Sequence, residues 1–195
     1  MSVILASQNQ HKVEELRQIL TGVDLEAMPE GIEMPEEDGE TFSDNALIKA
    51  RAIRAELGGP VLADDSGIEV KALGGRPGVR SARYAGEHAT DGENLSKALA
   101  DLAASGGEPD ARYVCVIAYI DEDGEEHLFE GFCTGHLILD PRGDGGFGYD
   151  PAFVPDATGP DDHRTMAEVS PAEKHSISHR GAAARKLADF LLAGS

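Results

Sequence analysis

Apolar positions along the chain fall into short runs of strand length, separated by longer stretches in which they recur every three or four residues. Residues 3–6 form the first apolar run. After the polar Ser7-Gln8-Asn9-Gln10, the spacing of Val13, Leu16, Ile19 and Leu20 predicts a helix. Residues 25–40, rich in acid, proline and glycine, read as a strand followed by a loop. A second helix is predicted from a cap at Thr41 or Ser43. It carries Ala46, Leu47, Ala50, Ile53 and Leu57 on its inner face and stops at Gly58-Gly59-Pro60. Val61-Leu62-Ala63 reads as a buried strand ending in a turn at Asp64-Asp65-Ser66-Gly67. Residues 68–73 then lead into an irregular Gly74-Gly75-Arg76-Pro77-Gly78.

Helical spacing returns from Asp91 through Leu95, Ala98, Leu99 and Leu102. Two runs, 113–120 and 127–139, flank Asp121-Glu122-Asp123-Gly124 and give the clearest hairpin signal in the chain. A glycine-rich loop at 143–148, an irregular Pro/Asp segment at 155–162 and a terminal helix over 181–192 complete the pattern. Strand-helix alternation joined to antiparallel strands predicts an α/β fold with a mixed sheet, helices packed outside it, and a cleft lined by loop ends.

The length, 195 residues, suits one domain with room for two lobes, and 41% hydrophobic residues suffice for a core. Thirty-six acidic against 17 basic residues give a net charge of -19, which repels a polyanionic duplex and argues against nucleic acid as a partner. A small phosphorylated ligand stays open, because a few local cations and a divalent metal can reverse the sign inside one cleft. No run approaches the ~20 apolar residues of a membrane span, and the N-terminus lacks a basic n-region, so a cytoplasmic protein is expected. Cys115 and Cys133, which the hairpin would place roughly opposite each other, are expected to be free and buried, with a disulfide as the less favoured alternative.

Five groups of residues could carry chemistry. Ser7-x-Asn9-x-x-Lys12, between first strand and first helix, is either an anion cradle or ordinary capping chemistry. Asp64 and Asp65, adjacent carboxylates at a strand end, could bind Mg²⁺ through at least one of the pair, with another carboxylate from Glu36-Glu37-Asp38; solvated acids are the alternative. Lys49 lies one turn after Asn45 on the second helix, where a surface lysine is the commoner reading. Gly145-Gly146-Phe147-Gly148-Tyr149-Asp150-Pro151 carries two aromatics that could stack on a base or anchor a buried loop. Lys174 with Ser178-His179-Arg180-Gly181 gathers potential cations at the start of the last helix.

In series these segments, with Thr41-Phe42, Ala63-Asp64-Asp65-Ser66-Gly67 and Pro77-Gly78-Val79-Arg80-Ser81-Ala82-Arg83-Tyr84, resemble the inosine/xanthosine triphosphate pyrophosphatases over nearly the whole chain. The resemblance departs at residues 155–164, a longer Asp/Pro/Gly stretch. It implies a single pyrophosphatase domain over residues 1–195. The fold would be elongated and two-lobed, with a central mixed β-sheet flanked by helices, an active-site cleft between the lobes and a homodimeric assembly. It implies Mg²⁺-dependent cleavage of dITP, ITP and XTP to the monophosphate and pyrophosphate. Carried over residue by residue, Glu37 and Asp65 would hold the metal, and Asp65, Lys12 and Lys49 would be catalytic. Ser7, Asn9, Asn45 and Ser66 would join Lys12 and Lys49 on the substrate, while Phe147, Gly148, Tyr149, Asp150, Lys174, His179 and Arg180 would surround the base. A catalytically idle nucleotide-binding regulator on the same fold, or a pyrophosphatase for other modified nucleotides, is the alternative.

Overall fold

The computed structural model describes residues 2–29 and 31–193 of the 195-residue chain. Its strands are β1 (Ser2–Leu5), β2 (Asp24–Ala27), β3 (Val61–Val70), β4 (Asp110–Ile120), β5 (Glu126–Leu137) and β6 (Phe153–Pro155). The helices are α1 (Gln10–Ile19), α2 (Phe42–Leu57), α3 (Asp91–Ser105), α4 (Pro171–Ile177) and α5 (His179–Ala193). One six-stranded sheet has the order β2-β1-β3-β4-β5-β6. It is mixed: β1 runs parallel to β2 and β3, with Ile4 opposite Val61, whereas β6 is antiparallel to β5, with His136 opposite Val154. This is the α/β architecture with a mixed sheet that the pattern predicts.

The chain divides into two compact units, Met1–Asp65 with Cys115–Gly131 and His179–Ser195, and Ser66–Val114 with Phe132–Ser178. In the first, Val3 and Leu5 of β1, Leu16 of α1, Leu62 of β3, Ile117 of β4 and Leu187 of α5 build one core. The second has its own, from Ile68 and Val70 through Leu95, Ala98 and Leu102 of α3 to Phe153 and Met166.

Local chemistry explains the element ends. Asn9 accepts from the His11 and Lys12 amides to start α1, so the capping reading of this segment holds. Thr41 and Asp44 form a reciprocal capping box on α2, which chooses Thr41 over Ser43. Gly58 ends α2 at φ +70, and Arg54 ties that end to the β4–β5 turn through the carbonyls of Gly59, Asp121 and Glu122. In the second unit the Pro77–Tyr84 motif forms a 3-10 turn over Gly78–Arg83. Ser81 Oγ accepts from Ile68 N and donates to Gly78 O, and Asn94 grips Ala82 O and Ala85 N.

Two expectations need correction. Asp64-Asp65-Ser66-Gly67 is no turn: it lies inside β3, a ten-residue strand buried almost throughout. Acidic residues signal a turn only when water solvates them, and here protein cations do so instead. Lys174 does not open the last helix either, because the chain turns extended at Ser178 between α4 and α5. Cys115 and Cys133 are both free and buried, and burial pushes each thiol up to about 12.

Helix α5 is seated directly on β5 at Gly131, where an added Cβ would lie 2.1 Å from His179 O and 2.4 Å from Ala183 N. Both obstacles are backbone and cannot swing aside. Gly131→Ala is therefore expected to lower stability by about 2–3 kcal/mol, or roughly 4–12 °C in thermal midpoint. A melt within a degree of the parent would show that α5 does not pack there.

Candidate active site

The first unit concentrates its charge around the two aspartates of β3. Lys49 lies on the same stripe of α2 as Asn45, one turn earlier, and both are buried. Its Nζ sits 3.0 Å from Glu37 Oε1 and 3.6 Å from Asp65 Oδ1. Asn45 Nδ2 donates to Asp65 Oδ2 at 3.2 Å while its Oδ1 accepts from Gly39 N, so one amide links the loop before α2 to the carboxylate. Burial alone would lower Lys49, but the carboxylates of Asp65, Asp64 and Glu37 outweigh it and hold the ammonium above its ordinary value. Burial raises Asp65, against the pull of Lys49 and Lys12.

Asp64 points to the other set. Lys12 Nζ is 3.0 Å from its Oδ2, and Arg180 Nε is 3.6 Å from the same oxygen. Arg180 also pairs with Glu15, which stands three residues after Lys12 on α1. Glu15, Arg180, Asp64 and Lys12 thus form a chain of charges that starts and ends on one helix. Burial would raise Asp64, yet Lys12, Arg180 and Lys49 together hold its carboxyl well below the usual carboxylate range. Two adjacent acids of one strand are consequently driven in opposite directions.

Three cations face four carboxylates in these two sets. That leaves one net negative charge before any ligand arrives. The ammonium of Lys49 shows that Glu37 and Asp65 converge on one point, as two ligands of a hard divalent cation do, so the residues present fit Mg²⁺. Metal-type donors also meet at the β4–β5 turn, where His127 Nε2 lies 2.9 Å from Asp121 Oδ2 and Glu125 N donates to Asp121 Oδ1.

The second unit assembles a different set. Asp150, 4% exposed, accepts from Tyr113 Oη at 3.0 Å on Oδ1, and from Phe147 N at 3.0 Å and Lys174 Nζ at 2.8 Å on Oδ2. Lys174 Nζ stands 4.8 Å from the centroid of the Phe147 ring. Gly148 N donates to Asp91, and buried Tyr149 donates to Ser81 O, so the glycine-rich loop is fastened at both of these residues. Burial, and after it the Asp150 carboxylate, raises Tyr113 well above an ordinary phenol, which keeps it a donor.

The structure therefore brings Lys12, Lys49, Asn45, Glu37 and Asp65 together in one unit, and Phe147, Asp150 and Lys174 in the other. Ser7 Oγ accepts from Asn9 N at the start of α1. Ser66 lies beside Asp65 in β3, and His179 and Arg180 are buried in the first turn of α5, within the first unit. Arg180 is a guanidinium 1% exposed, facing Glu15 and Asp64. Sequence reasoning misses Glu15 and Tyr113. The signal for Glu15 is its i,i+3 relation to Lys12, whereas Tyr113 reads as one more buried position of a hairpin strand.

Asp64→Asn leaves Lys12 and Arg180 without their shared anion, and breaking a buried pair from one side is expected to cost about 3–5 kcal/mol in urea unfolding at neutral pH. Because the Asp64 carboxyl is held low in the folded chain, its stabilisation is complete above the unfolded value near ~4 and fades as pH falls below it. The gap between parent and variant should shrink over that range. A gap independent of pH would show that the charge on Asp64 contributes nothing.

Residues 3–190 match the model of the Ham1 family. The chain is 46% identical to the dITP/XTP pyrophosphatase of Corynebacterium diphtheriae over 98% of this chain and 97% of that protein. It is also 46% identical to the dITP/XTP pyrophosphatase of Cutibacterium acnes, over 98% and 96%. Among solved structures, a HAM1 protein from Coxiella burnetii superposes with a TM-score of 0.89 at 40% identity, covering 99% of both chains. The Staphylococcus aureus Ham1 protein gives 0.88 at 37% identity, covering all of each. Fold, full-length match and identity agree, and the chain belongs to the Ham1 family.

Proposed function

We propose that this protein hydrolyses the non-standard purine nucleoside triphosphates dITP, ITP and XTP between the α and β phosphates, yielding the nucleoside monophosphate and pyrophosphate. The observation that carries the reading is the pair of lysines, partly buried Lys12 and buried Lys49, each set against an aspartate of the same strand. Kinship with proteins named dITP/XTP pyrophosphatase supports the substrate class. The whole chain acts as one catalytic domain, a cytoplasmic homodimer without nucleic-acid or membrane partners; among the described residues no helix is long and apolar enough to cross a membrane.

Mg²⁺ held by Glu37 and Asp65 would supply positive charge to the phosphate oxygens. Lys12 and Lys49 donate to those oxygens as charge builds on them, with Ser7, Asn9 and Ser66 as neutral donors. Asp65 takes the proton of the attacking water, directly or through a water it orients, and Asn45 fixes the carboxylate for that task through Oδ2. Asp64 stays ionised and keeps Lys12 extended from α1. Phe147 stacks on the purine with Gly148 and Tyr149 shaping the loop, while Lys174, Asp150 and His179 flank its edge. Donors suit the 6-oxo group of hypoxanthine and xanthine and meet the 6-amino group of adenine donor to donor. Arg180 reaches a base only by leaving Glu15 and Asp64.

Over a nucleotide panel, dITP and XTP are expected to give pyrophosphate in a Mg²⁺-dependent reaction, with Asp65→Asn lowering kcat by ~10³-fold or more while the fold persists. Orthophosphate with a diphosphate product would overturn the reaction assignment, and binding without turnover would favour the idle regulator. Arg180→Ala separates two roles for that residue. A base reader loses dITP activity far more than residual dATP activity, whereas a residue that only holds Asp64 and Glu15 loses both in equal proportion.

A further inference from the structure

Asp150 is served by more donors than loop anchoring requires. Oδ2 already receives the Phe147 amide and the Lys174 ammonium, which joins the glycine-rich loop to α4. Gly146 is packed so closely on the carboxylate that an added Cβ would lie 2.1 Å from Oδ2. The third donor comes from β4, whose Tyr113 is a member of the second unit's apolar core and packs edge-on against Phe153 at 4.6 Å. A phenylalanine would fill that place equally well, so packing does not explain the hydroxyl. Its contribution is rotational. The carboxylate torsion is soft and nearly two-fold, and donors converging on one oxygen leave it free to swing. A donor on Oδ1 from a rigid central strand fixes the plane.

We propose that Tyr113 is a positioning residue for base selection: by holding Oδ1 of Asp150 it fixes Oδ2, and through Oδ2 the placement of Lys174 over the Phe147 ring. This rests on the reading of Phe147 and Lys174 as the pair that receives the purine. Without the hydroxyl, Oδ1 loses the Tyr113 donor, and the carboxylate can turn about its soft torsion and carry with it the Lys174 ammonium that Oδ2 holds. The lysine then keeps its charge and its burial but loses the direction in which its other protons point. A hydrogen bond to a 6-oxo group needs that direction; general attraction to a polyanion does not.

The test compares Tyr113→Phe, Lys174→Ala and the double variant by kcat and KM on dITP and dATP, with inhibition by inorganic pyrophosphate and a thermal melt alongside. Tyr113→Phe is expected to raise KM for dITP about tenfold with kcat within about threefold, and to lower the dITP-to-dATP preference by about the same tenfold factor. Pyrophosphate inhibition, which reads the phosphate-binding lysines, should not change. In the double variant the preference should equal that of Lys174→Ala alone, because Tyr113 acts only through that lysine.

A lowered melt with the preference intact would make Tyr113 a structural residue and overturn the proposal. A further loss of preference in the Lys174→Ala background would overturn it too, by showing a route that bypasses the lysine. If Lys174→Ala itself leaves the preference unchanged, the base-reading assignment fails, and the Tyr113 proposal fails with it. Should Tyr113→Phe not fold, Asp150→Asn keeps the shape and the Tyr113 partner while removing the charge that holds Lys174. It should lower the preference at least as far, and an unchanged preference there would equally refute the role.

Discussion

Two consecutive carboxylates inside a strand buried on both faces are the constraint around which the first unit is organised. Removing ionised groups from water costs several kcal/mol each, so Asp64 and Asp65 demand charged partners close by. Those partners come from different elements: Lys12 from α1, Lys49 and Asn45 from α2, Arg180 from α5. Each helix must hold its position against the sheet for its charge to arrive. Gly131 under α5 and Arg54 at the end of α2 are part of the same requirement. Apolar residues of similar volume would stabilise a core as well or better. An arrangement this demanding is better explained by chemistry that needs the charges than by stability.

The acid excess has a second use away from β3. Asp44, Glu93 and Glu173 each accept from a helix cap residue that in turn accepts their amide, which sets a negative charge at the positive end of α2, α3 and α4. Net charge alone says little about where a polyanion can bind. What decides is the local count, and around Asp64 and Asp65 it stands close to balance.

Much of this is legible in residue order. Hydrophobic spacing locates α1, α2, α3 and the β4–β5 hairpin, because each buries one continuous apolar stripe. It fails at Asp64-Asp65-Ser66-Gly67, where a pattern that treats acid as solvated cannot foresee cations delivered from three helices. The same blindness makes Lys49 resemble a surface residue. Helix α4 escapes notice because it is short and leans on the Ser170–Glu173 box more than on an apolar stripe. Residue types at the site are legible, yet their groupings are not: Arg180, beside His179 in sequence, answers Asp64 and Glu15.

The path of the chain has a consequence for how the molecule tolerates damage. It passes from one unit to the other between Asp65 and Ser66, Val114 and Cys115, Gly131 and Phe132, and Ser178 and His179. Neither unit is a contiguous piece of sequence, so no truncation isolates one of them, and a protease that nicks a single surface loop releases neither. Both fragments of a nicked chain still contribute to shared cores, which favours their staying together as a complemented pair. Two of the four passages lie at Asp65 and at His179, the neighbour of Arg180, so the chain changes unit beside two members of the charged set.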